Sequence, residues 1–451
     1  MIEELKRVLE KCGVEYAEIR VEEREGTAIY YSGKELEIAE RKRSFGGCIR
    51  TFHKGGWGFV TFNKLKDLED WLHRSERQAK TMKRESGLAP VKPVRDKVRL
   101  SLPDDPRKVP LEEKHELVRK YNQIVMGHEK IQTTRVGYED TFIRKYYVNT
   151  EGTEIVEERV YSGVRMVATA VDGTNVQISF DSVGGTQGWN SVLGLEDIAE
   201  RVCKEAVEML KAEPVEAGVY TVVVDPQLAG VFAHEAFGHL SEADHIYENE
   251  RIREIMKLGT RFGVDELSIV DDGTIKGERG YYPYDDEGVP SQRTYLIKNG
   301  ILVGRLHSRE TAYKMGEEPT GNARAINFAY PPIVRMSCTF IEPGDKTFEE
   351  LTDIERGIYA IGAYGGQTEL EMFTFSARRG YLIEKGKITK LLKNVVLTGN
   401  VFETLRNIDA IGNDLKLYGG LGGCGKGGQF PLPVSDGAPH IRIRNVVIGG
   451  K

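Results

Sequence analysis

Two histidines and a glutamate stand close together in the run Val224–Asp244, VDPQLAGVFAHEAFGHLSEAD. Neutral imidazole is a good zinc ligand, and a neighbouring carboxylate can accept a proton from an activated water. His234, Glu235 and His239 therefore have the composition of a metallohydrolase site. The elements that must position them are legible just upstream. Tyr220–Val224 is a short β-branched and aromatic run, Asp225 is a natural helix N-cap and Pro226 suits the first helical position. A strand thus feeds directly into the helix that carries the chemistry.

The spacing of the histidines departs from the common zinc-peptidase pattern. Residues four apart lie about 40° from each other around an α-helix, whereas His234 and His239, five apart, lie about 140° from each other. A regular helix would separate them. A single π-turn, with its bond from i to i+5, returns positions five apart to one side. Gly238 eases that distortion, or lets the helix end so that His239 reaches back from a turn. HExxxH alone occurs by chance in long chains, so a second contribution is needed.

The far end of the chain offers one. Cys424 sits in GGLGGCGKGGQ, Gly419–Gln429, where so much glycine costs conformational entropy and commonly serves close backbone approach. A thiolate is a strong zinc ligand, and Lys426 nearby favours the ionised form. Such a loop reads equally as a surface turn with an incidental cysteine. Cys338, in the strand-like run around Arg335–Thr339, is the competing thiolate. Glu242 and Asp244 are candidates for orienting an imidazole, or for a solvated helix end. His245 and the cluster Asp285-Asp286-Glu287 invite a metal reading, against which a turn before Gly288 is preferred. Arg324 and Tyr330 could contact substrate, but packing is the preferred role for both. His53, His73, His115 and His128 read as surface or packing residues.

A chain of 451 residues is ample for two or three domains. With 40% hydrophobic and 29% charged residues it belongs to the globular class. A net charge of −6 without a basic tract argues against nucleic acid as a partner. No apolar run reaches membrane-span length, and the charged amphipathic start MIEELKRVLEKCG is unlike a signal peptide, so no membrane partner and a cytoplasmic location are expected. Five scattered cysteines without CxxC pairs fit a reducing compartment.

Periodicity predicts an α+β fold. Helices are expected over residues 2–12, 64–82, 111–126 and 195–211. Alternating runs at 16–22, 27–31, 36–39, 46–53, 58–62, 133–140, 142–149, 154–166 and 176–183 read as strands, and Arg84–Pro110 as a linker or surface crossing. Ala212–Gly218 is the best boundary, giving an N-terminal α+β domain at 1–214 and a β-rich C-terminal domain at 215–451 that carries the zinc-binding helix. In the second domain, helical character is expected to run through Ile246–Leu258, and the glycine clusters Gly362–Gly366 and Gly419–Gly428 are expected as loops between strands.

Four motifs in order, HEAFGHLSEAD, PTGNARAINFAYPPIVRMS (Pro319–Ser337), GGQTELEMFTFSA (Gly365–Ala377) and GGCGKGGQFPLPVSDGAPHIRI (Gly422–Ile443), resemble the TldD side of the TldD/TldE (PmbA) peptidase family. YAEIRVEE and GGCIRTFHKGGWGF near the start resemble that family's first domain. The resemblance implies that His234, His239 and Cys424 are zinc ligands, one zinc per chain, with Glu235 as the catalytic glutamate and a coordination position open for water. It further implies a metallopeptidase acting on unfolded or flexible peptides inside a dimer cavity. A homodimer is expected by default, with a heterodimer with a metal-free TldE-like paralogue as the other arrangement. The alternative function is a peptide-binding or scaffolding subunit with a structural metal, which would require four protein ligands.

Overall fold

The computed structural model describes residues 1–82, 84–369 and 371–449. It is an α+β fold. The first sheet contains β1 (Tyr16–Ser32), β2 (Glu35–His53), β3 (Gly56–Phe62), β4 (Arg95–Val98), β5 (Ile131–Asn149), β6 (Glu154–Asp172) and β7 (Asn175–Gly185). Their order is β3-β2-β1-β5-β6-β4, with β7 also paired to β6. The separate short strands expected at 16–22 and 27–31 are one 17-residue strand, and those at 36–39 and 46–53 are one of 19 residues. Charged stretches such as Arg41–Arg43 interrupt the apolar alternation, but the backbone ladder between β1 and β2 continues across them. The expected linker also contributes to the sheet, through β4 running parallel to β6.

The pleat decides what each face of this sheet meets. Along β1, odd-numbered Ala17, Ile19 and Val21 pack with Leu5 and Leu9 of α1 (Ile2–Leu9) and Leu72 of α2 (Leu68–Thr81). Farther along, Ile29 packs with Val118 and Tyr121 of α3 (Leu111–Val125) and with Ala199 and Val202 of α4 (Glu196–Met209). Even-numbered Glu18, Arg20 and Glu22 point the other way and are equally buried. They meet the second half of the chain. Arg20 lies 3.0 Å from Asp286 and donates to the carbonyls of Asn327 and Tyr330, while Arg50 bridges Glu18 and Glu287. The turn foreseen before Gly288 is present, with Gly288 at φ +76°; Asp286 and Glu287 face the first sheet's cations, while the Asp285 carboxylate accepts the Glu287, Val289 and Ala323 amides and holds the turn.

The second half opens with β8 (Glu213–Pro214), β9 (Gly218–Val224) and α5 (Pro226–Phe232), followed by short helices α6 (Ala243–Glu248) and α7 (Glu250–Ile255). Next come β10 (Ile269–Asp272), β11 (Arg293–Lys298), β12 (Ile301–Leu302), β13 (Ala323–Arg324), β14 (Ile333–Val334) and β15 (Cys338–Ile341). Then follow β16 (Arg356–Glu369), β17 (Met372–Glu384), β18 (Lys387–Lys393), β19 (Val396–Asn400) and β20 (Ile408–Ile411). The chain ends with β21 (Lys416–Tyr418), β22 (Cys424–Lys426), β23 (Gln429–Leu432), β24 (Ser435–Ala438) and β25 (Ile441–Gly449).

Two sheets organise these strands. In one, β16, β9, β25, β19 and β17 pair in succession and β17 pairs back to β16, so five strands close on themselves. The other runs β12-β11-β10-β15-β24-β21. Helix α5 is wedged between them, with Phe232 edge-on to Phe373 and Phe375 of the ring. On its other side Gly230 lies against Gly437 of β24, closely enough that a Cβ would come within 2.5 Å of the Gly437 Cα. The helix that carries the chemistry is therefore fixed from two directions. Gly362–Gly366, expected as a loop, lies inside β16, where a bulge between Ala363 and Gly365 absorbs the irregularity. Leu370, within the Gly365–Ala377 motif, lies outside the described residues.

Candidate metal centre

The strand, cap and helix run as read from the sequence. Strand β9 ends at Val224 and the Asp225 Oδ1 accepts the Leu228 amide at 2.9 Å. The same oxygen accepts the Gly362 amide at 2.8 Å, and Gly362 stands at φ +63° to deliver it. After α5 the chain adopts a π-helix over Ala233–Gly238 and then a 3-10 turn over His239–Ser241. Of the two solutions open to five-residue spacing, the π-turn is the one taken. It places the two imidazole rings 5.3 Å apart and nearly perpendicular, at 87°. Gly238 is needed for a second reason: a Cβ there would collide with the Met336 sulfur.

Cys424, some 185 positions beyond His239, comes to the same point, its Sγ 3.3 Å from His239 Nε2. Ligand atoms of His234, His239 and Cys424 all lie within 4.8 Å of one another. His234 is 3% exposed and Cys424 4%. Cys424 is held by β22, paired to β23, and by Arg335, which donates to its carbonyl at 2.8 Å. Cys338, the competing thiol, is buried in β15 and is not part of this group. Burial and the nearby Asp271 hold its thiol well above the usual range, a poor setting for a thiolate.

Two soft or borderline nitrogens and a thiolate in a buried pocket are a zinc-type donor set. The charges agree. Burial pushes the Cys424 thiol up, but His234 beside it, with hydrogen bonds to both histidines, outweighs burial and brings it down to about 4. Burial alone would lower His234, yet the facing thiolate raises it to about 9. A pocket holding an anionic sulfur against imidazoles that need a positive charge suits a cation that supplies that charge instead. The buried His234 Nδ1 has no hydrogen-bond partner in the protein. The residues fit a zinc ion, and three of them leave room for a further ligand.

Support behind His239 is specific. Its Nδ1 lies 2.9 Å from the Glu242 Oε2, and Glu242 is fully buried. The same oxygen lies 2.9 Å from Lys426 Nζ, which also bonds Asp244 at 2.7 and 2.8 Å and the Val334 carbonyl at 2.9 Å. Burial would raise the Glu242 carboxyl, but His239 and Lys426 together hold it down at about 2. Glu242, Asp244 and His245 also approach one another closely enough for a metal, but the Lys426 ammonium already occupies the space between the first two. Lys426 thus couples the strand of Cys424 to the segment after His239.

Glu235 projects beside the triad, 34% exposed, its Oε2 3.8 Å from His239 Nε2. It lines two cavities. One, of about 770 Å³, includes His239, His245, Asn249, Gln367 and Lys426; the other, of about 200 Å³, includes His234, Cys424, Gln227, Tyr418 and Asp436. Asp436 was not singled out by sequence, although it lies in the VSDG portion of the last motif. Only the fold shows that it faces the site. Arg324 is a packing residue, donating to the carbonyls of Met336 and Pro433, and the Tyr330 carbonyl accepts from Arg20.

Comparison with known proteins matches three successive segments to family models. Residues 17–79 match "PmbA/TldA metallopeptidase domain 1", 104–212 the "central domain" and 217–450 the "C-terminal domain". A metalloprotease of Synechocystis is 44% identical over 440 residues, covering 97% of this chain and 95% of that protein. A protein of Saccharolobus solfataricus named as a zinc metalloprotease TldD homolog is 29% identical over 458 residues, 98% of each. Among solved structures, TldE from Thermococcus kodakarensis superposes with a TM-score of 0.81 at 19% identity, covering 99% of each chain, a likeness of fold alone. No helix among the described residues is long and apolar enough to cross a membrane. With successive family models matching most of its length and a relative 44% identical along 97% of it, the chain belongs to the PmbA/TldD metallopeptidase family.

Proposed function

We propose that this chain is a zinc-dependent peptidase that hydrolyses unfolded or flexible peptide segments, with His234, His239 and Cys424 as ligands of one zinc and Glu235 as general base. The observation that carries the reading is the convergence of the three ligand atoms within 4.8 Å, beside a glutamate that lines two cavities. Bound zinc supplies Lewis acidity and lowers the pKa of water. The protein's own residues do the rest. Glu235, on the accessible side of the centre, takes the proton of the attacking water on a carboxylate oxygen and delivers it to the leaving amine. Glu242 keeps the His239 ring turned, its Nδ1 hydrogen directed away from the sulfur. In this reading the two cavities that Glu235 lines receive parts of an extended peptide. Main-chain pairing would hold such a substrate with little sequence dependence.

The working assembly in this reading is a cytoplasmic homodimer, and a metal-free TldE-like paralogue is the partner to test against it. A structural-metal scaffold needs a fourth protein ligand, and the group among the described residues has three. The test begins with elemental analysis of the wild type, Cys424→Ala and His234→Ala. About one zinc per chain, lost in both variants, is expected. Zinc-loaded wild type should then cut flexible peptides, and Glu235→Gln should keep its zinc and lose turnover. Retained turnover in Glu235→Gln would refute the role of this glutamate, and a zinc-free wild type after replete preparation would refute the peptidase.

A further inference from the structure

The smaller cavity carries a carboxylate that the mechanism does not use. Asp436 sits in the middle of β24, its register partners Thr339 on β15 and Tyr418 on β21 fixing its backbone from both sides. It shares the 200 Å³ cavity with His234, Glu235 and Cys424. Its oxygens are not among the ligand atoms that converge within 4.8 Å. Nor does it orient His234, whose Nδ1 has no hydrogen-bond partner. The charged neighbours that act on it are His234, Glu235 and Cys424, and among the described residues no lysine or arginine forms an ion pair with it. The ammonium on the other side of the centre, Lys426, is committed to Glu242 and Asp244.

A carboxylate placed at the edge of a buried site without a cation is costly unless something else supplies one. With the centre loaded, two carboxylates and a thiolate stand against a single divalent ion, leaving this side with one negative charge over. The cavity is smaller than the usual 300–1,000 Å³ of a complete ligand pocket, so it suits part of a substrate, while the 770 Å³ cavity across Glu235 suits the remainder. We propose that this cavity is the subsite for a positively charged group of the peptide, and that Asp436 is the specificity-determining residue that receives it. The group is an ammonium or guanidinium, either the free α-amine of the peptide's N-terminus or a lysine or arginine side chain next to the bond that is cut. The inference rests on the peptidase reading for its chemistry but not for its binding.

The test uses the full zinc-loaded chain and two peptide pairs, one with a free or acetylated N-terminus and one with lysine or norleucine along its length. Binding is measured calorimetrically on Glu235→Gln, with and without Asp436→Asn, and cleavage on the wild type and Asp436→Asn, with zinc content checked in every sample. We expect the charged member of one pair to bind about ten-fold or more tightly, the effect of one charge-assisted hydrogen bond, and Asp436→Asn to abolish the difference while zinc stays bound. A preference confined to the first pair assigns the α-amine; one confined to the second assigns the side chain. Equal binding within both pairs, no binding of any peptide, or a preference that survives Asp436→Asn would overturn the proposal. Cleavage without a charge preference would leave the peptidase standing and remove the subsite. Charge-selective binding without any cleavage would do the reverse.

Discussion

Replacing Glu242 by glutamine isolates the contribution of the residue behind the metal centre. The carboxylate is fully buried and its Oε2 is shared by His239 Nδ1 and Lys426 Nζ, each at 2.9 Å. Glutamine keeps the volume and one acceptor oxygen but removes the charge that the His239 Nδ1–H and the Lys426 ammonium face. Two consequences follow from the geometry. The His239 ring becomes a weaker donor to the metal and is freer to rotate, and Lys426, still paired to Asp244, loses half of its anionic setting. Loss of such an outer partner typically weakens metal binding by about 10–100-fold, or about 1.4–2.7 kcal/mol. Competition against a fluorescent zinc chelator, with circular dichroism confirming the fold, measures it directly. Asp244→Asn, at a more exposed partner of the same lysine, should weaken zinc binding less. An unchanged zinc affinity in a folded Glu242→Gln protein would show that the orientation of His239 is set elsewhere, and would refute the reasoning.

Asp286→Asn should destabilise the chain by about 3–5 kcal/mol in denaturant titrations, because it leaves Arg20 and Lys145 buried without their shared anion. Burial raises the Asp286 carboxyl, but Arg20, Lys145 and Arg159 hold it well below the ordinary range. Its stabilisation is therefore complete above the unfolded value of about 4 and is lost as pH falls further, so the wild type should lose stability below pH about 4 more steeply than the variant. Gly230→Ala tests the wedge of α5. Helix propensity alone favours alanine by about 1 kcal/mol, yet the new Cβ would meet the Gly437 backbone at 2.5–2.6 Å, so thermal melts should show a net loss of about 1–3 kcal/mol. Cys338→Ala should leave zinc content unchanged, and loss of zinc in that variant would reopen the choice of thiolate.

How the histidines meet was legible in the chain because it is local. Five-residue spacing with a glycine at 238 admits few backbone solutions, a π-turn or a helix end from which His239 reaches back, and the chain takes the π-turn. The cap at Asp225 and the proline after it are equally local, so strand, turn and helix followed from neighbouring residues. Strand lengths were not legible. Charged runs such as Arg41–Arg43 erase the alternation from which a strand is read, while the ladder that carries β2 through them depends on β1, a different segment. Gly362–Gly366 misled in a similar way: glycine signals a loop, but here it gives a bulge inside β16 that turns the Gly362 amide to the Asp225 cap.

Sequence by itself determined the donor types, the helix that bears two of them and that this helix could not stay regular between them. Tertiary structure decided which cysteine joins them, that Lys426 holds Glu242 against His239, and that Asp436 faces the same cavity. The physical reason is range. Capping and helical geometry are settled within a few residues, whereas a thiolate some 185 positions away reaches the histidines only because α5 is wedged between two sheets, against β24 on one side and the closed five-strand ring on the other.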